Sequence, residues 1–139
     1  RGQSGWMFDE IRNKRGLAYQ VGVHNESESD YGMFAVYAGL DKKNIGKSKA
    51  IIMQQFKRLG GIGRKDLEEA KAYIEGSHTL QMEDNFHNAD NLAVWESIKS
   101  AKLAKSYIQN VRKVGVEGVK RIAKKYLNDK YTMVVIEGR

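Results

Sequence analysis

The residues best able to do chemistry in this chain are its three histidines, His24, His78 and His87. Hydrolysis at a helical zinc site needs two histidines one turn apart with a glutamate between or beside them. No pair of these has that spacing, in either direction. Glu83 and His87 would share one face of a helix, but two weak ligands do not make a site, and the pair reads as solvent-facing. Cysteine is absent, which removes disulfides, thiolate metal sites and cysteine nucleophiles and leaves the redox compartment open. Gly46-Lys47-Ser48 echoes the end of a phosphate-binding loop. The preceding glycine, Gly39, stands two residues too far back for the loop to close around a phosphate. Gly60-Gly61-Ile62-Gly63 joins two helical patterns rather than a strand and a helix, so it is not a dinucleotide fingerprint. No serine-containing loop carries a histidine and an acid in a recognisable nucleophilic arrangement.

Hydrophobic periodicity gives the elements that would position any site. Trp6, Met7 and Ile11 recur at helical spacing over 3–14, with Ser4 a candidate cap and Gly16 a stop. Leu17, Tyr19, Val21 and Val23 alternate, which predicts a strand over 17–23 and would make Tyr19 a core residue. Asn25 to Asp30 is a polar turn. Met33 to Leu40 is apolar on both faces, the pattern of a central strand covered on both sides. Asp41 to Asn44 turns the chain and can cap a helix over 43–59, where Ile45, Ile52, Phe56 and Leu59 form a stripe. Further helices are predicted over 64–76, 85–99, 102–112 and 116–127. The last carries Val119, Ile122, Ala123, Tyr126 and Leu127 on one face. Asn128-Asp129 turns the chain into a closing strand over 131–136. This order predicts an α+β fold in which a small, mainly antiparallel sheet packs against a layer of helices.

The composition sets the outer bounds. The chain has 139 residues, 41% apolar and 29% charged, which suits one globular domain with a real core. No apolar run is long enough to span a bilayer, and no apolar segment of the kind a signal peptide carries follows Arg1–Gly5. The net charge is +7. Its lysines and arginines, among them Lys99, Lys102, Lys120, Arg121 and Lys124, interleave with apolar positions of helices, as solvated helix faces do. A nucleic-acid surface would mix them with exposed stacking aromatics. Charge alone therefore carries the reading of a basic nucleic-acid-binding module.

One block is specific: Gly5-Trp6-Met7-Phe8-Asp9-Glu10-Ile11-Arg12-Asn13-Lys14-Arg15-Gly16-Leu17-Ala18-Tyr19. It resembles the S-x-L-F-x-x-I-R-x-K-R-G-L-A-Y-x-V segment in the C-terminal, non-zinc domains of the pitrilysin/insulinase/mitochondrial-processing-peptidase family. Phe34 to Gly39, Asp66 to Gly76 and Val119 to Leu127 resemble three further blocks of that family in the same order. The resemblance implies a half-domain that carries no zinc and closes over a peptide substrate with a homologous, zinc-bearing domain or subunit. It implies that Arg12 and Tyr19 are the residues this half contributes. Arg12 would hold substrate carbonyls with its fixed fork of donors. Tyr19 would donate its hydroxyl to the scissile carbonyl as charge develops there. Read from the pattern alone, Arg12 could equally neutralise a helix C-terminus.

The family's usual Thr and Asp near the last helix are replaced by Gly115 and Gly118, and a usual capping Thr by Gly63. The resemblance further implies a partial domain over 1–139 that lacks the family's opening strand and helix. Its exposed sheet edge could then support self-association. A non-proteolytic scaffold, like the core subunits of respiratory cytochrome bc complexes, is the alternative within the same family.

Overall fold

The computed structural model describes residues 5–28 and 30–137; Ser4, the expected cap, lies outside them. The first helical segment is not one continuous α-helix. Helix α1 (Trp6–Phe8) runs on into a π-helical turn, Asp9–Asn13. There the Lys14 N–H donates to the Asp9 carbonyl, five residues back, at 2.8 Å. Gly16 ends the segment in the left-handed region, φ +59°, where a side chain would be strained. Around it the Gly16 N–H donates to the Arg12 carbonyl and the Leu17 N–H to the Ile11 carbonyl, each at 2.9 Å. This nested pair resembles a Schellman closure with each ring one residue wider, matching the wide turn before it.

Strands β1 (Gln20–Ser27) and β2 (Gly32–Gly39) form an antiparallel hairpin, with Gln20 opposite Gly39 and Ser27 opposite Gly32. β1 starts later than the alternation predicts. Leu17 and Ala18 are both buried, so alternation has not yet begun there and the link itself plugs the core. β1 also runs on through polar His24–Ser27, because the ladder with β2 holds those residues whatever their polarity. β2 is not a central covered strand. Among the described residues it pairs on one side only, and Met33, Phe34 and Tyr37 remain about half exposed. The apolar run at 131–136 is likewise not a strand. Among the described residues it has no backbone hydrogen bond to the hairpin, and a strand exists only through its ladder.

A 3₁₀ turn, Lys42–Asn44, leads into α2 (Ile45–Leu59). Then follow α3 (Arg64–Gln81), α4 (Asn85–Ile98), a 3₁₀ segment Ala101–Ser106, α5 (Tyr107–Lys113) and α6 (Val116–Tyr126). The fold is thus α+β, as the order of elements predicts. Helix α3 passes through Gly76, where a stop was expected, and ends one turn later. At its start the Asp66 carboxylate accepts the Gly63 N–H at 3.1 Å. This is half of a capping box, because glycine has no side chain to return the bond.

The chain packs as two compact units. One holds the residues up to Gly61 together with those from Ile122 onward; the other is Ile62–Arg121. The core of the first is Phe8, Ile11, Leu17, Ala18, Val21 and Ile51, with Met7, Ala38, Leu40 and Ile52 packed against it. Ile11 is fully buried, 0% exposed. In the second unit Ile62 and Leu67 are buried. Tyr107 packs against His78 and Trp95, with ring centroids 5.2 and 6.4 Å apart. Arg112 pairs with Glu75 through two nitrogens.

Candidate functional site

Arg12 and Tyr19 stand on either side of the Gly16 turn. Between them the chain carries Leu17 and Ala18 into the core, beside Ile11. Packing on the inside of this corner leaves its two polar side chains outside. Arg12 is exposed, with its guanidinium 5.1 Å from the centre of the Phe8 ring. That stacking restrains the side chain without using up its hydrogen-bond donors. Among the described residues it forms no ion pair.

Tyr19 is 67% exposed, so it is not the core tyrosine that the alternation suggests. Its backbone N–H donates to the Gly39 carbonyl at 2.8 Å, which fixes it beside the end of β2. Its hydroxyl donates to Asp41 Oδ1. That hydrogen bond, and then the charge of Asp41, raise the Tyr19 pKa above its ordinary value of 10.0. The phenol therefore keeps its proton through the neutral range and can serve as a donor. Among the described residues no hydrogen bond joins Arg12 to Tyr19.

Two residues of this corner were read from sequence only as a turn and a cap. Asp41 takes the Tyr19 hydroxyl. Asn44 donates from Nδ2 to the Leu17 carbonyl at 3.1 Å. Neither caps α2 with its side chain. The hairpin register was the signal that could have found Asp41. With Gln20 opposite Gly39, the residue before β1 and the residues after β2 must come together. On the outer side of the helical turn, Glu10 accepts from Lys14 at 2.5 Å and from Arg15. The Lys14 bond first, and then Arg15, hold its carboxyl down at about 2. These charges keep the segment carrying Arg12 in place without occupying Arg12.

Removal of the Asp41 charge tests the Tyr19 assignment. Asp41→Asn is expected to return the Tyr19 pKa towards 10, read by NMR titration of the tyrosine ring signals. An unmoved titration would mean that the pair does not form in solution.

The histidines do not assemble a metal site. His24 lies 3.7 Å from Glu26, and His87 lies 3.6 Å from Asp84 rather than facing Glu83. Among the described residues no three His, Asp or Glu side chains converge in a way that could hold a metal ion. The described residues therefore do not fit a zinc site. Nor is any helix among them long and apolar enough to cross a membrane.

Comparison with known proteins agrees with this architecture. The fold is similar to that in the crystal structure of a protease from Helicobacter pylori, with a TM-score of 0.78 at 22% identity, covering 93% of this chain and 32% of that one. The model of the Peptidase M16 inactive domain matches residues 1–74. The chain therefore belongs to that family and is a non-catalytic, peptidase-family half. Among curated relatives, an uncharacterized zinc protease, YmxG, of Bacillus subtilis is 26% identical over 94% of this chain and 32% of its own length. The human mitochondrial-processing peptidase subunit alpha is 24% identical over 94% of this chain and 25% of its own length. The chain thus spans about a third or less of the length of these relatives.

Proposed function

We propose that this chain is the substrate-holding half of a zinc-dependent endopeptidase, acting with a separate zinc-bearing domain or subunit that closes over a peptide. The observation that carries this reading is the Gly16 corner. It leaves a guanidinium and a neutral phenol exposed on the two arms of one packed turn. Zinc belongs to the other half, where it would polarise the peptide carbonyl. This chain's residues do the rest. Arg12 holds backbone carbonyls of the peptide in a fixed fork of donors. Tyr19 turns its hydroxyl from Asp41 to the reacting carbonyl oxygen as negative charge builds there. Asp41 keeps the hydroxyl oriented until then. Relatives that bear the names zinc protease and processing-peptidase subunit alpha support a catalytic partner of this kind.

The scaffold alternative gains from one observation. The Tyr19 hydroxyl already has an internal partner, as a purely structural tyrosine would. Reconstitution separates the two readings. Mixing this chain with the zinc-bearing half is expected to produce hydrolysis of a quenched fluorescent peptide that neither gives alone. Equal activity of the zinc-bearing half by itself would overturn the substrate-holding role.

A further inference from the structure

Helix α2 and the turn before it are charged with one sign only. From Lys42 to Gly61 the chain has six lysines and arginines and no aspartate or glutamate. Helices α3 and α6 differ. In α3, Lys71 pairs with Glu68 at 3.1 Å and Lys65 with Glu69 at 3.9 Å; in α6, Lys120 pairs with Glu117 at 3.0 Å. Some of the α2 cations are engaged within the chain. Lys42 pairs with Glu137 at 2.7 Å. Lys49 lies 5.4 Å from the centre of the Tyr131 ring, and Arg58 3.6 Å from that of Trp6. Lys43, Lys47 and Lys57 are exposed, and among the described residues their side chains make no ion pair, hydrogen bond or ring contact.

Helical geometry puts these three lysines within about a quarter of the helix circumference, on a ridge about 21 Å long. Ala50 and Gln54 lie between them and are also exposed. Lys43 and Lys47, one turn apart, repel each other. They stand near the positive end of the helix dipole, and neither α2 nor the 3₁₀ turn before it has an acid in its first turn. Asp41, just before that turn, accepts from the Tyr19 hydroxyl. The free chain bears this repulsion, and an anion laid along α2 relieves it. The residue types on the ridge select among anions. It has no aromatic ring on which a base could stack. It has no large apolar side chain to enter a membrane surface. Its free cations are all lysine and lack the arginine fork that suits phosphate.

We propose that the outer face of α2 binds an acidic polypeptide segment in extended form. Alternate side chains of such a segment lie about 6.7 Å apart on one side, close to the rise of about 6 Å from Lys43 to Lys47. Glutamates at every second position therefore meet successive lysines. Gln54 offers its carboxamide to the peptide backbone between Lys47 and Lys57. The overall charge of +7 favours the approach of such a partner. Neither Arg12 nor Tyr19 takes part, so this surface stands or falls apart from the roles assigned to them.

Fluorescence anisotropy of fluorescein-labelled Glu-Ala-Glu-Ala-Glu-Ala-Glu tests this on the whole chain. Saturable binding is expected, at least about tenfold tighter than that of the same peptide with glutamine for glutamate, and weakening as salt is added. Lys43→Gln, Lys47→Gln and Lys57→Gln together should weaken it by about tenfold or more. Lys99→Gln, Lys102→Gln and Lys105→Gln remove the same charge from other exposed positions and should change it by less than about twofold. The α2 changes remove a repulsion, so the thermal midpoint should hold or rise, and lost binding is then not lost folding. Equal weakening by the two triple variants would overturn the proposal, because net charge alone would then attract the peptide. So would failure to saturate at millimolar peptide. Tighter binding of a short labelled DNA duplex than of the acidic peptide would also overturn it and make the ridge a nucleic-acid surface.

Discussion

Tyr19→Phe is expected to lower kcat of the assembled peptidase by about 10²–10³ while leaving KM nearly unchanged. The phenol is two-thirds exposed, so deleting its oxygen removes no core packing and the fold should persist. In the proposed role, what disappears is a donor that acts on charge developing in the transition state. Such a loss lowers kcat and kcat/KM together, whereas loss of a ground-state contact raises KM. The internal bond to Asp41 bears on the size of the effect. The hydroxyl must leave a carboxylate to reach a carbonyl oxygen, so only its stronger attraction to the transition-state oxyanion is gained. Steady-state kinetics with a peptide substrate decides the matter. A kcat equal to that of the parent protein would remove Tyr19 from the mechanism and leave the scaffold reading for the tyrosine–aspartate pair.

The sequence made the corner visible but not its wiring. Gly16 announced the break, because a glycine after a helical run is where the chain can enter the left-handed region. Periodicity also gave the helices, because an apolar stripe must be buried wherever it occurs. It failed at Tyr19. Leu17, Tyr19, Val21 and Val23 alternate like a strand face, yet Leu17 and Ala18 are both inside and Tyr19 is out. A link that plugs a core need not alternate, and only the ladder with β2 fixes where β1 begins. Asp41 and Asn44 were legible as turn formers and not as partners of Tyr19 and Leu17, because those bonds join residues 22 and 27 positions apart. The run at 131–136 fails in the opposite sense. Val134 and Ile136 have strong strand preference, but preference does not supply a neighbouring strand, and both stay largely exposed.

Ile11→Ala is expected to destabilise the chain by about 2–5 kcal/mol, measured by urea denaturation, with Ile11→Val costing about 0.5–1.5 kcal/mol. Ile11 is the only large apolar side chain with no exposure among the described residues. It packs with Phe8, Leu17, Ala18, Val21 and Ile51, which draws together the helical turn, the link and α2. Its carbonyl also accepts the Leu17 N–H that closes the turn around Gly16. A cavity at this position therefore loosens the arm that carries Arg12 and the arm that carries Tyr19 at the same time. The polar ties through Asp41 and Asn44 hold Tyr19 and Leu17, whereas those on the Arg12 side, from Lys14 and Arg15 to Glu10, stay within the helical turn and do not join it to the other arm. A loss well below about 2 kcal/mol would mean that the surrounding side chains collapse into the space. The corner would then owe its shape to the Tyr19–Asp41 and Asn44–Leu17 bonds rather than to the packed interior. The Asp41→Asn protein, carrying Ile11→Ala as a second change, distinguishes the two. Additive losses indicate independent supports, and a loss greater than the sum indicates that packing and hydrogen bonds hold the same turn.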